Sequence, residues 1–356
     1  MRIVHSINEM GIGGAESLVV ELMDRGSDLG WTSAVASSGG VRANELAARG
    51  HPHFHVPLAT RSLSSVLRSR RAVRAVLDEF RPDVVIAHNV LTSVVVRLAR
   101  PGVPVLAVFH GVAEDDYRLA ARALRYSADA VVAVAGVIAD RLSAAGGGRP
   151  TPRVIRNAVT PPDGLDRDAA RLRLGISPDR PVALCLARLE SQKRHDVLID
   201  AWRLLDTNAL LLVAGDGSLR SELQTRAADL GDRVRFLGPR SDVPDLLAAT
   251  DVTVLTSDWE GLPISVLESL AAGRPVVASD VDGLREVLGT GGGRLVPRDD
   301  PERAATALHE LLFDTTARSQ AAQRGLATIA ESYAPDDMMH SYDDLLRSLL
   351  TRRNSR

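Results

Sequence analysis

Residues 257–280 read SDWEGLPISVLESLAAGRPVVASD, and this stretch indicates the fold class. The apolar run VTVLTS, which leads into it, is typical of a buried β-strand that ends near Ser257. Pro263 is expected to open a helix, because proline suits the first helical turn. The second apolar run, PVVASD, closes the stretch. Strand, helix and strand in this order predict a βαβ unit with parallel strands.

The same alternation fills almost the whole chain. Seven apolar runs precede the turn-rich segment TPPDGLDRD: RIVHSI, WTSAVASS, HFHVP, DVVIAHN, VPVLAVFH, AVVAVA and RVIRNAV. Six follow it: PVALCLARL, ALLLVAG, VRFLG, VTVLTS, PVVASD and GRLVP. We therefore predict two doubly wound α/β domains, residues 1–163 and 164–335, which face each other across a cleft. A last helix within residues 336–356 is expected to cross back to the N-terminal domain.

Composition narrows the class of protein. The 356 residues are 45% apolar and 25% charged with a formal net charge of -2, which gives no general attraction to nucleic acid. We expect a cytoplasmic protein, because no apolar run approaches the roughly 18 residues of a membrane span and the N-terminus lacks a signal-peptide pattern. Cys185 lies in an apolar run, where a buried, inert thiol is expected.

The stretch quoted first also carries the strongest chemical signal. The backbone amides around Gly261 to Ser265, a segment that also contains Leu262, Pro263 and Ile264 as candidate donor-binding residues, would stand at the positive end of a helix, an arrangement that favours a phosphate. If the segment from Glu260 to Glu268 were all helical, it would span about 12 Å. This exceeds the roughly 5–9.5 Å of a glycosidase pair but suits two carboxylates at opposite ends of a long ligand. A capped helix with a solvated face would explain Glu268 alone.

A second signal is the pair of cations in ARLESQKRHD. Arg188 ends a predicted strand and Lys193 follows near the start of a helix, so both could neutralise a diphosphate leaving group. Of the 43 basic residues all but one are arginine, and the single lysine is Lys193. The alternative is an ordinary solvated lysine.

Two weaker signals lie in the N-terminal half. The loop EMGIGGAES places Gly13 and Gly14 directly after the first strand, where backbone can approach a phosphate or simply make a tight turn. Glu16 stands where a dinucleotide-binding loop would need its third glycine, which disfavours a nicotinamide cofactor. His110 ends the strand VPVLAVFH and could face a ligand or be structural.

Taken together, these residues resemble the retaining glycosyltransferases of the GT-B fold known as family 4, over nearly the whole chain. The resemblance rests on Glu260 and Glu268 in EGLPISVLE, followed by AAGRPVVASDVDGLREVL, with AGDG and FLG as further similar blocks. It implies that Glu268 binds the ribose and that Glu260 and the following amides hold the donor sugar. Arg188 and Lys193 would bind the diphosphate, and Gly14 and His110 would contact the donor.

The resemblance also implies a metal-independent transfer with retention, with a nucleotide sugar as co-substrate and no other cofactor. A UDP-sugar donor is favoured by family frequency alone. The chain departs from the usual pattern at Ala187, Ala158 and Asp282, each where glycine is common, which affects backbone approach and removes no charge. The acceptor stays open between a small molecule, a natural product and a glycan or lipid-linked sugar; arginine usage suggests a GC-rich bacterial source.

Two sequence patterns and the function itself leave alternatives. His51, His53 and His55 alternate and could share one strand face for a metal, but Pro52 interrupts the strand, so we expect no metal site. The basic helix from Arg61 to Phe80 could touch the inner face of a membrane, although a solvated face is the simpler interpretation. A nucleotide-sugar epimerase or a catalytically silent partner protein are the rival functions.

Overall fold

The chain forms two compact units in the computed structural model, which describes residues 1–58, 63–146, 148 and 151–354. Met1–Asn157 with Asp336–Arg356 is the first unit, and Ala158–Pro335 is the second. The division therefore falls earlier than the boundary predicted after residue 163. The reason lies in Val159, which is buried and donates its N–H to the Tyr333 carbonyl at 3.4 Å, both within the second unit.

The first unit is built on a seven-stranded parallel sheet. In space the strands follow the order β3-β2-β1-β4-β5-β6-β7. Their bounds are β1 Arg2–Ser6, β2 Thr32–Ser37, β3 His53–His55, β4 Val84–Ala87, β5 Val105–Phe109, β6 Ala130–Ala133 and β7 Arg153–Val154. Successive strands run outward from β1 to β3, and the chain then returns to place β4 on the other side of β1. The loops after β1 and β4 thus lie at the topological switch point, where ligands of such sheets bind.

Helices cover both faces of this sheet. They are α1 Gly14–Gly26, α2 Val41–Ala48, α3 Leu63–Phe80, α4 Val90–Leu98, α5 Tyr117–Ser127 and α6 Gly136–Ala145. Val4 and Val85 pack in one cluster with Leu77 of α3, whereas Val35 packs in another with Met23 of α1. Strands buried on both faces need continuous apolar runs, which is why the sequence shows runs rather than alternation.

The second unit repeats the plan with a six-stranded parallel sheet. Its strands are β8 Val182–Leu186, β9 Leu210–Ala214, β10 Val234–Gly238, β11 Val252–Leu255, β12 Val276–Ser279 and β13 Gly293–Val296. Their order is β10-β9-β8-β11-β12-β13, which puts the switch point between β8 and β11. Its helices are α7 Arg167–Leu174, α8 His195–Leu204, α9 Arg220–Arg226, α10 Val243–Ala249, α11 Ile264–Ala271, α12 Asp282–Leu288, α13 Pro301–Phe313 and α14 Thr315–Ser332. The two predicted doubly wound sheets are confirmed.

Cys185 belongs to the core of the second unit. It lies in one apolar cluster with Trp202 and Leu198 of α8. Burial raises the pKa of the Cys185 thiol to about 12, so the thiolate, which is the reactive form, is strongly disfavoured. The structure agrees with an inert thiol.

The last helix, α15 Pro335–Asn354, belongs to the first unit from Asp336 onward, as predicted. Its Asp343 accepts a hydrogen bond from the Trp31 indole N–H at 2.8 Å, and Arg25 of α1 contacts Asp336 at 3.1 Å. Tyr342 and Leu346 are fully buried. The first unit is therefore assembled from both ends of the chain.

Across the described ranges, none of the helices combines the length and the apolar character that crossing a bilayer requires.

Candidate functional site

An ion pair spans the switch point of the second sheet. Lys193 lies after β8 and Glu260 after β11, and the Lys193 Nζ atom is 2.5 Å from Oε1 of Glu260. The Lys193 side chain is 13% exposed and that of Glu260 only 6%. Two opposite charges that are both buried stabilise each other strongly only in good geometry. Removing either charge would leave the other buried and uncompensated. The sequence predicted both residues as site residues, but not as a pair.

Hydrogen bonds between the two loops fix this pair. Asp258 donates its N–H to the Gln192 carbonyl at 2.9 Å, and the Gln192 side-chain amide donates to the Trp259 carbonyl at 2.8 Å. The Thr256 hydroxyl donates to the Arg194 carbonyl at 2.8 Å. Side chains and backbone thus lock residues 192–194 against residues 256–260.

Arg188, the other predicted cation, is exposed at the carboxyl end of β8. Its guanidinium forms no hydrogen bond or ion pair with any of the described residues, although its charge acts on the nearby Glu190 carboxylate, so it can meet an anion without breaking a direct contact. Its loop is held by a neighbour that the sequence analysis missed. Glu190 accepts hydrogen bonds from the Ser218 N–H at 3.0 Å and from the Ser218 hydroxyl at 2.8 Å. These hydrogen bonds hold the pKa of the Glu190 carboxyl below its usual value.

The AGDG block lets two loops of the second unit touch. Gly215 has φ +146°, and a Cβ there would stand 1.9 Å from the Ala187 carbonyl oxygen. A Cβ on Gly217 would stand 2.4 Å from the Leu189 carbonyl oxygen. Only glycine allows this approach, so the block shapes the loop that carries Arg188.

Helix α11 begins one residue later than predicted. Pro263 is its N-cap, with φ -70° and ψ 121°, and Ile264 is the first helical residue. Residues 260–263 are loop, so the segment from Glu260 to Glu268 is helical only from Ile264 onward, and the 12 Å of an all-helical segment does not apply to it. Pro263 has no side-chain oxygen with which to cap this helix, which leaves the positive end of the helix to other partners. Glu268 is half-buried on the helix itself.

The loop that contains Gly261 and Leu262 rests on the next helix. Gly283 lies in the first turn of α12, and a Cβ on it would stand 1.2 Å from the Gly261 carbonyl oxygen. Backbone therefore packs directly on backbone at this point. Both Gly261 and Leu262 are buried.

The glycine loop of the first unit has a different character. Gly13 is the N-cap of α1 and Gly14 its first residue. A Cβ on Gly13 would stand 2.4 Å from Oε2 of Glu16, so the Glu16 carboxylate lies against the start of this helix. A phosphate there would meet a like charge, which favours a tight turn or an uncharged ligand group at Gly13 and Gly14.

Three histidines lie at the carboxyl edge of the first sheet, His5 and His88 fully buried and His110 half-buried. His5 on β1 and His88 after β4 are hydrogen-bonded, Nδ1 to Nε2, at 3.1 Å and stacked. His110 follows β5, the neighbour of β4, and no described residue forms a hydrogen bond with its buried Nε2 atom. The remaining ring nitrogens of His5 and His88 are also buried without a partner among these residues.

Burial keeps these three rings neutral. It lowers the pKa of His110 to about 4 and that of His5 to about 3, the latter helped by His51. Burial also lowers the pKa of His88, and repulsion from His5 and His110 lowers it further. His5 and His88 were not predicted as site residues, although the polar ends of the apolar runs RIVHSI and DVVIAHN were a signal for them.

These histidines predict acid sensitivity. The folded-state pKa values of these histidines lie below the unfolded value near 6.5. Their neutral form therefore contributes fully to the free energy of unfolding above pH 6.5, and this contribution is lost as the pH falls toward 4. Each group should cost up to about 1.4 kcal/mol per pH unit in this window. Melting temperatures between about pH 7 and pH 5 should fall less for His5→Gln and His88→Gln than for the unmodified chain. His309→Gln, at an exposed position, is the control. If the melting temperature falls equally with pH in the unmodified chain and in all three variants, the buried histidines are not the cause of the acid sensitivity.

The three alternating histidines around β3 do not converge on one site. His53 is hydrogen-bonded to the Ser37 hydroxyl at 3.0 Å, and His51 lies 3.6 Å from Asp24. His55 is exposed. Within the ranges that the structure covers, no three His, Cys, Asp or Glu residues are arranged to hold a metal ion.

Known proteins share both halves of this chain. Residues 12–161 match the family described as Glycosyltransferase Family 4, and residues 166–327 match Glycosyl transferases group 1. The chain is 30% identical to a D-inositol 3-phosphate glycosyltransferase of Thermobispora bispora, over 85% of this chain and 82% of that protein. It is 34% identical to the lipopolysaccharide core biosynthesis glycosyltransferase LpsE of Rhizobium meliloti. That match covers 62% of this chain and 64% of LpsE, so it spans less than two thirds of this relative.

Solved structures share the fold. The crystal structure of Anabaena HepE in complex with UDP and glucose aligns with a TM-score of 0.87 and 22% identity. The alignment covers 98% of this chain and 100% of that one. Both the Thermobispora and the Rhizobium relative carry glycosyltransferase names, which favours neither an epimerase nor a silent partner protein.

Proposed function

This chain belongs to the glycosyltransferases of group 1 and family 4, and on that premise we propose how it works. It transfers a sugar, with retention and without a metal ion, from a nucleotide diphosphate sugar to an acceptor. UDP is the favoured nucleotide, which is consistent with the UDP bound by the HepE structure of the same fold. The acceptor is a small molecule, a natural product or a glycan on a lipid.

The observation that carries the proposal is the Lys193–Glu260 pair at the switch point between β8 and β11. Ligands of doubly wound sheets bind at this edge, beyond the carboxyl ends of the strands. The exposed Arg188 follows β8 and the start of α11 follows β11, so two further sources of positive charge stand at the same edge of the sheet as the Lys193–Glu260 pair. A diphosphate is the ligand chemistry that this arrangement suits.

Each residue then has a task in the transfer. Arg188 and Lys193 neutralise the charge that grows on the diphosphate as the sugar leaves, and the α11 amides add to this stabilisation. Glu260 accepts hydrogen bonds from sugar hydroxyls and keeps Lys193 oriented. Glu268, further along α11, takes the ribose, and His110, neutral by burial, offers a hydrogen bond to the donor. Two side-chain cations supply the charge that a metal ion would otherwise bring.

A panel of UDP, GDP, ADP and TDP tests the donor site by thermal shift. A nucleotide at 100 times its dissociation constant should add about 2.7 kcal/mol to the stability of the protein. The gain should appear with one nucleotide and shrink in Arg188→Ala, each variant being compared with its own unliganded state. Arg173→Ala is the control, because Arg173 on α7 forms an exposed ion pair with Asp245 on α10. No gain with any nucleotide would refute the donor site.

Under the same proposal, a lipid-linked acceptor is reached at the cytoplasmic face of a membrane. Arg61, at the start of the predicted basic helix, lies outside the described residues, but α3 exposes Arg71 and Leu67, the latter by 57%. Helix α5 exposes Leu119 by 70% and Tyr126 by 71%, and each of them follows an arginine, Arg118 or Arg125. Basic and apolar groups on one surface are typical of peripheral contact with anionic lipid.

Vesicle sedimentation tests this membrane contact. The chain should co-sediment with phosphatidylglycerol vesicles and not with phosphatidylcholine vesicles, and Leu119→Asp should reduce the bound fraction. Leu172→Asp, at an 81% exposed position of the second unit, is the matched control. Equal binding to both kinds of vesicle, or to neither, would refute the contact.

A further inference from the structure

Arg194, the residue after Lys193, has a strained backbone. Its φ is 48° and its ψ 47°, the left-handed region that favours glycine. It lies between the turn Ser191–Lys193 and the start of α8. An arginine in this conformation is strained, and such strain persists only where surrounding contacts enforce it.

The guanidinium of Arg194 contacts three carboxylates. Its Nε and Nη2 atoms donate to the two oxygens of Asp196, each at 3.1 Å. Its Nη1 donates to Asp258 at 3.0 Å and also pairs with Asp299. The hydrogen bonds to Asp196 first, and then those to Asp258, raise the pKa of Arg194 further above its ordinary value. The side chain is therefore held in one geometry.

Both parts of Arg194 contact the loop that carries Glu260. The side chain binds Asp258, and the carbonyl accepts the Thr256 hydroxyl at 2.8 Å. Arg194 thus connects, through one residue, the backbone next to Lys193 with the backbone next to Glu260.

A second strained residue takes part in this contact. Among the described residues of the second unit, the non-glycine residues with positive φ are Arg194 and Asp299, the latter at 57°. The two are ion-paired to each other. Strained residues that bond to one another beside a site are a known sign of functional constraint.

We infer that Arg194 is a positioning residue, which sets Lys193 against Glu260 and so places the positive charge that receives the donor diphosphate. The inference rests on the proposed function. Arg194 itself contacts neither Lys193 nor Glu260 through its side chain; it acts through residues 256–258. A small displacement of a charge from its productive position costs up to about 100-fold in rate.

Three substitutions separate positioning from stability. Arg194→Ala keeps the strained φ and removes the ion pairs, Arg194→Gly removes both, and Arg194→Lys keeps one charged contact. We expect the kcat of both Ala and Gly variants to fall by about 10- to 100-fold with a smaller change in donor KM. Arg194→Gly should melt at a higher temperature than Arg194→Ala, but its kcat should be no higher. Arg194→Lys should recover part of the wild-type kcat.

Arg203→Ala is the control, because Arg203 on α8 likewise pairs with two carboxylates, those of Asp200 and Asp229, on a more exposed surface. It should keep the wild-type kcat. If the rate follows the melting temperature, so that Gly restores it, Arg194 is merely structural and the inference fails while the donor site stands. If no nucleotide stabilises the wild-type chain, the proposed function itself fails.

Discussion

Lys193→Met should destabilise the second unit by about 3 kcal/mol, because it leaves the Glu260 carboxylate buried and unpaired. The side chains of the pair are 13% and 6% exposed, so water replaces little of the lost interaction. Glu260→Gln should cost less, since it leaves the more exposed partner. The double variant should cost clearly less than the sum of the two single variants. Urea denaturation of the four proteins measures this coupling.

Arg294 and Glu310 provide a matched control for this cycle. Their ion pair is also 2.5 Å long, but the side chains are 35% and 40% exposed. Arg294→Met should therefore cost less than about 1 kcal/mol. Equal costs for the two pairs would show that burial does not govern the Lys193–Glu260 interaction.

Lys193→Met should in addition lower kcat by about 100- to 1,000-fold, as expected for a group that stabilises developing charge.

Gly283→Ala should be the most damaging single-methyl change near the site. Its new Cβ would stand 1.2 Å from the Gly261 carbonyl oxygen, so the backbone of the loop or of α12 must move. We expect a stability loss of about 3 kcal/mol and a loss of transfer activity, because the displaced loop carries the amides before Ile264.

Gly11→Ala is the control for this substitution. A Cβ on Gly11 would approach nothing closer than 3.8 Å, so its melting temperature should stay near that of the unmodified chain. A Gly283→Ala protein with unchanged melting temperature and activity would show that the loop tolerates displacement, and it would remove the packing argument made for Gly261.

The sequence predicted the two sheets because parallel strands buried on both faces appear as apolar runs. It also singled out Lys193 and Glu260, each after such a run. Their pairing was not predictable, since they lie 67 positions apart and meet only because β8 and β11 are neighbours. The sequence separated their tasks, one for the phosphate and one for the sugar, whereas the structure joins them.

Local conformation explains the remaining differences. Pro263 suits the first helical turn by its φ, but here its ψ is 121°, so the helix starts at Ile264. Nothing in the run SQKRHD reveals that Arg194 takes a left-handed conformation, because its three carboxylate partners come from two other loops as well as from its own helix. The His5–His88 contact likewise depends on the register of β1 against β4.

The order in which the units can fold follows from α15. Trp31 and its partner Asp343 are 312 positions apart, and the whole second unit is synthesised between them. The second unit is continuous in the chain, so a ribosome releases all of its residues before the first unit receives its last helix. We therefore expect a chain that stops at Pro335 to show a protease-resistant second unit and a digestible first one, with the N-terminal half finishing last.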